Sequence, residues 1–132
     1  MLYILCFGNP YLKEDNLAIQ VADLIIADRI PGLEIIKCIS PDEILGYLDK
    51  NFIILDVVKD AKEVMLIDDI DKLKSGSIVS LHDFDLGFFL KLMKETGKIE
   101  KVKIIGIPQQ GDINDIKKKI ITLLPIQGQG SA

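Results

Sequence analysis

The order of apolar segments predicts a three-layer α/β sandwich: a mostly parallel five-stranded sheet with one antiparallel edge strand and helices on both faces. Three observations carry this. Short apolar runs without alternation, such as Leu2 to Phe7 and Phe52 to Leu55, are the mark of strands covered on both sides. Between them lie segments whose apolar residues recur at helical spacing. One further run, Val64 to Ile67, follows the third strand after too few residues to hold a crossover helix, so it is expected to run antiparallel at an edge.

The first 28 residues set the pattern. The run Leu2 to Phe7 breaks at Gly8-Asn9-Pro10, and after Glu14-Asp15-Asn16 a helical stripe runs through Leu17, Val21, Leu24 and Ile25. A strand, a turn and a helix are expected, with two adjacent carboxylates at the helix entrance. Arg29-Ile30-Pro31-Gly32 is a turn, and Leu33 to Ile39 a second strand. Ser40-Pro41-Asp42-Glu43 has the form of a helix start, with serine as N-cap, proline next and acids in the first turn; a short helix to about Asp49 follows. Phe52 to Leu55, ending on Asp56, is the expected sheet centre. Ser77 to Ser80 is a brief extended piece leading to His82. Apolar positions 86, 89, 90 and 93 mark a helix stopped by Gly97, Val102 to Ile107 is the last strand, and Ile113, Ile116, Ile120 and Leu123 stripe a terminal helix.

The totals bound the function. At 132 residues, 48% hydrophobic and 27% charged, the chain fits one globular domain, here residues 1–125, with a polar Gly-rich tail over 126–132. No apolar run reaches the roughly 18 residues of a membrane span. Met1-Leu2-Tyr3 leads into the first strand without a basic flank or cleavage site, so a cytoplasmic protein is expected, and a monomer. A net charge of −4 gives no reason to expect nucleic acid or an anionic membrane as partner. Cys6 and Cys38 form no Cys-x-x-Cys pair and read as small core residues.

Three features fall at the ends of elements: Glu14-Asp15 before the first helix, Asp56 at the end of the third strand, and His82, the single histidine, before another helix. In a parallel sheet all three project from the carboxyl edge, where sites are built. An imidazole with two or three carboxylates suits a divalent ion such as nickel, zinc or manganese, and is too poor in sulfur for copper(I) or an iron–sulfur cluster. Each also has a plainer reading. Asp15 can cap its helix. Asn9 can serve its turn or place its amide on a substrate carbonyl. Asp83 can cap the helix after His82. A carboxylate ending a central apolar strand is harder to dismiss, because Asp56 is costly to desolvate. Phe84 and Phe88 fall off the apolar stripe of their helix; they are either core residues or a docking patch for a protein client. Gly8-Asn9-Pro10 is no dinucleotide fingerprint and no P-loop occurs. A flavodoxin-like phosphate site is disfavoured by the negative charge of Glu14 and Asp15.

These same residues carry a family resemblance. Gly8-Asn9-Pro10-Tyr11-Leu12-Lys13-Glu14-Asp15-Asn16 resembles the Gly-Asn-x-Leu-x-x-Asp-Asp/Glu-Gly signature of the nickel–iron hydrogenase maturation endopeptidases. Phe52 to Asp56 resembles the family's apolar strand ending in Asp, Ser80-Leu81-His82 its Ser-x-His segment, and Val102 to Ile107 its late Gly-Ile strand. The resemblance implies an endopeptidase that removes the C-terminal extension of a hydrogenase large-subunit precursor after nickel insertion. It implies that Asp15, Asp56 and His82 contact the nickel, which the substrate brings, with zinc or another divalent ion as a surrogate; Glu14 and Asp15 are the candidates for proton transfer. The alternative is a non-proteolytic homologue that binds a metallated client or a divalent ion. The family's glycines after the acidic pair are replaced by Asn16 and Ala18. Its Asp-Gly-Gly-Thr loop, associated with substrate choice, is replaced by Ile39-Ser40-Pro41-Asp42.

Overall fold

The computed structural model describes residues 1–8, 16–58, 61–68, 86–99 and 102–125. They form strands β1 (Leu2–Phe7), β2 (Leu33–Cys38), β3 (Asn51–Val57), β4 (Met65–Ile67) and β5 (Ile104–Ile107), and helices α1 (Asn16–Ala27), α2 (Leu86–Glu95) and α3 (Ile113–Leu123). A 3-10 helix spans Pro41–Tyr47. The sheet order is β2-β1-β3-β5-β4, with β3 at the centre. β1 is parallel to β2 and β3, and β5 is parallel to β3. Only the edge strand β4 runs antiparallel, pairing Met65 with Gly106 and Ile67 with Ile104.

Residue parity sorts the strands into two apolar layers. Leu2, Ile4 and Cys6 of β1, Ile53, Leu55 and Val57 of β3, and Ile105 and Ile107 of β5 meet Val21, Ala22 and Ile25 of α1 and Ile116 and Ile120 of α3. The alternate residues Leu5, Phe7, Ile54 and Ile104, with Ile67, meet Ile44 of the 3-10 helix and Leu90 of α2. Both faces of the central strand are therefore dry, as its lack of alternation requires. Lys117 pairs with Asp28 at 2.9 Å and joins α3 to the end of α1.

The helix ends follow local chemistry. Asp112 Oδ1 accepts the Asn114 and Asp115 N–H groups at 2.9 and 3.1 Å, capping α3. Gly97, at φ +77, ends α2 in the left-handed turn that a side chain resists, and Lys98 N–H returns to the Met93 carbonyl at 2.9 Å. The helix expected after Ser40 is a single run of 3-10 geometry. Its start is held by Glu43, whose Oε2 accepts the Ile39 and Ser40 N–H groups at 2.6 and 2.9 Å, while the Ser40 hydroxyl donates to Asp42. β2 stops at Cys38, where Ile39 turns into this cap, and β4 and β5 begin one and two residues later than the apolar runs suggest. The extended piece at 77–80 and the tail at 126–132 lie outside the described residues. No described helix is long and apolar enough to cross a membrane.

Candidate functional site

All four parallel strands end at one edge. There Gly8 N–H donates to the Cys38 carbonyl at 3.4 Å and Val58 N–H to the Ile107 carbonyl at 2.9 Å, tying the strand ends together. Asp56 lies at this edge on the central strand. It is 2% exposed, and no other polar or charged residue among those described is as deeply buried. Its parity sets it on the face of Phe52, Ile54 and Val58, beneath the layer that α2 and the 3-10 helix cover. Asp56 Oδ1 accepts the N–H of Val57 at 2.9 Å, which fixes one edge of the carboxylate against its own strand.

The neighbouring lanes shape its surroundings. In β5 its register partner is Gly106, which has no side chain to offer. A Cβ built there would lie 2.6 Å from Val58 Cγ2 and 3.3 Å from Met65 Cγ, so those two side chains fill the lane instead. On the other flank the register Cys6–Leu55 continues to Phe7, fully buried on the same face. This packing role of Phe7, Val58 and Gly106 is absent from the sequence reading. The available signal was an isolated glycine inside a strand, which marks close approach.

α1 starts at Asn16, directly after Glu14-Asp15, and its first turn is pressed on β1: Ala18 is fully buried, and Cys6 Sγ donates to the Ala18 carbonyl at 3.7 Å. A residue larger than alanine at 18 would lift the helix off the strand. α2 joins the layer on the Asp56 side of the sheet through buried Leu90, with Phe89 and Met93 partly buried beside it. Asn9, Glu14, Asp15, His82 and Phe84 lie outside the described residues. Phe88 falls within α2, with its side chain outside the description. Of the predicted metal set, Asp56 is the member whose geometry is on view. Among the described residues no group of three His, Cys, Asp or Glu gathers.

The cysteines are no competing nucleophiles. Both are free and buried. Burial, then the nearby Asp56 charge, pushes the Cys6 thiol up to about 12. Burial, then Glu43, pushes Cys38 up to about 12. Thiols so protonated attack nothing at neutral pH. Iodoacetamide at pH 8 is expected to leave the mass of the native protein unchanged and to label both residues only on unfolding. Because both folded thiols hold their protons more tightly than unfolded ones, their contribution is intact below about pH 9 and is lost as pH rises towards 12. A urea midpoint that falls across that window checks the sign. A cavity of about 230 Å³ between the end of α1 and the start of β2, lined by Ile25, Arg29, Leu33 and Glu34 among others, opens at the opposite edge from Asp56.

No family model matches the chain, and no curated protein matches it significantly. Solved structures do. The NiFe hydrogenase maturation protease HybD from Thermococcus kodakarensis superposes with a TM-score of 0.67 at 19% identity, over 92% of this chain and 95% of that one. The hydrogenase 3 maturation protease gives 0.68 at 19% identity over 99% and 94%. The hydrogenase maturating endopeptidase HybD from E. coli gives 0.67 at 18% over 96% and 93%. The chain has the fold of the hydrogenase maturation proteases. The coverage is above nine-tenths in both directions. On this fold Asp56 occupies the end of the central strand; in the sequence Asp15 directly precedes α1 and His82 comes four residues before α2.

Proposed function

We propose that the chain is a hydrogenase maturation endopeptidase that removes the C-terminal extension of a nickel-loaded large-subunit precursor. The observation that carries this reading is the buried carboxylate of Asp56 at the carboxyl edge of the central strand, on a fold shared with proteins named as such proteases. A charged residue buried at the carboxyl end of a central strand is the kind of group that concentrates at functional sites. Asp56 supplies a hard oxygen donor. With Asp15 and His82 it makes an N/O set that suits nickel or zinc. In this reading nickel is part of the substrate. Asp15, Asp56 and His82 recognise it and so place the scissile peptide, while Glu14 or Asp15 moves the proton. The metal supplies Lewis acidity to the carbonyl or to the attacking water. Asn9 holds substrate near the loop, and Phe84 and Phe88 offer apolar contact to the client. The working protein is a cytoplasmic monomer.

The test is the intact mass of a hydrogenase large-subunit precursor after incubation with the protein. The nickel-loaded precursor is expected to lose a C-terminal peptide, and the nickel-free precursor to remain whole. If the loaded precursor keeps its mass with wild type, cleavage is ruled out and binding of a metallated client becomes the better account of the same residues.

A further inference from the structure

The lane beside Asp56 is filled in an unusual way. Asp56 and Gly106 are register partners on adjacent strands, about 4.8 Å apart, and their side-chain positions share a face. At Gly106 that position belongs to another residue: Val58 Cγ2 sits 2.6 Å from where a Cβ would be, with Met65 Cγ at 3.3 Å and Ile67 Cδ1 at 3.5 Å. Val58 is two residues beyond Asp56 on the same face, is 3% exposed, and is pinned by its N–H to the Ile107 carbonyl at 2.9 Å. Its side chain therefore leans sideways over the Gly106 position, the lane next to Asp56. The carboxylate meanwhile holds the N–H of Val57, the residue between the two.

We infer that Gly106 is a positioning residue for Asp56. By leaving its lane empty it lets Val58 seat against β5, and this seat keeps the strand end, the Val57 N–H and the Asp56 carboxylate in one arrangement. The inference concerns how the residue of the proposed site is oriented, so its catalytic arm rests on the function proposed above; its spectroscopic arm does not.

Four proteins test it: wild type, Gly106→Ala, Val58→Ala and the double variant. In Gly106→Ala the new methyl displaces Val58. In Val58→Ala the side chain that leans over the lane is lost. In the double variant the methyl at 106 occupies the space that the trimmed side chain vacates. The readouts are the Val57 amide resonance and, with labelled aspartate, the Asp56 carboxyl carbon. Both are expected to move in each single variant and to return towards wild type in the double. With nickel-loaded precursor, kcat/KM is expected to fall about 10- to 100-fold in the single variants and to recover in the double, because small displacements of a group that places the scissile peptide cost that much. Should Gly106→Ala fail to fold, Val58→Ala and the double variant carry the comparison. Single variants that melt earlier yet keep the wild-type Val57 and Asp56 signals would overturn the inference and reduce Gly106 to packing. A wild type that leaves the precursor whole would sink the proposed function, while the resonances still decide the role of Gly106.

Discussion

Asp56→Asn is expected to slow cleavage of the nickel-loaded precursor by roughly 100-fold or more while leaving the fold in place. The substitution is nearly isosteric, so the dry layer around position 56 keeps its volume. The amide oxygen can still accept the Val57 N–H that Oδ1 accepts now at 2.9 Å. What is lost is the negative charge and the second carboxylate oxygen, the features a divalent ion selects. Stability should therefore change little, because shape, volume and the Val57 hydrogen bond are kept. An exposed acid such as Asp49, replaced by Asn in the same assay, should leave the rate unchanged. Precursor shortened at the wild-type rate by Asp56→Asn would exclude Asp56 from the chemistry and with it the main physical support for the shared site.

The fold was legible in the sequence because its determinants are local or periodic. The central strand declared itself by four apolar residues without alternation, Phe52 to Leu55, which only a strand covered on both faces tolerates. The edge position of β4 followed from chain length alone, since the residues between Val57 and Met65 cannot make a crossover helix. Gly97 marked the end of α2 through a backbone angle that favours glycine. The 3-10 form of the helix after Ser40 was not legible. The signals at Ser40, Pro41 and Glu43 specify where a helix begins and leave the number of residues per turn to tertiary packing, in which Ile44 is buried and Tyr47 partly buried.

The candidate site was legible in part. Asp56 stood out because a charge at the end of an apolar run conflicts with burial, and such conflicts mark function more often than error. Its flanks were not, because they come from β1 and β5, which lie beside β3 only once the sheet is assembled. No local pattern pairs Phe7 or Gly106 with Asp56. A carboxyl-edge placement of the other candidates was an expectation from strand direction; the parallel pairing of β1, β3 and β5 bears out the direction of the strands themselves.

Phe7→Ala is expected to carry the largest stability loss of any substitution considered, roughly 3–5 kcal/mol, or a melting temperature lower by about 10 °C or more. Phe7 is fully buried in the layer shared with Leu5, Ile54 and Leu90, so no solvent reaches the space its ring would leave. It closes β1 at the carboxyl edge, and the continued register sets it on the β1 flank of Asp56. Tyr3 provides the contrast within the same strand and face. It is only half-buried, tilted against Tyr47 with ring centroids 5.4 Å apart, and Tyr3→Ala should cost clearly less because water and Tyr47 can close the gap. Urea unfolding at constant slope distinguishes the two, since a changed slope would mean that the unfolded or native ensemble had altered rather than the packing. A Phe7→Ala loss below about 1 kcal/mol would mean that the layer collapses onto the gap and is not rigidly packed. If the loss is large, the same variant still has folded protein at low temperature in which the β1 flank of Asp56 borders an unfilled apolar gap. A precursor-cleavage rate per folded molecule that then falls would tie the packing of this layer, and not merely its stability, to the work of the carboxylate.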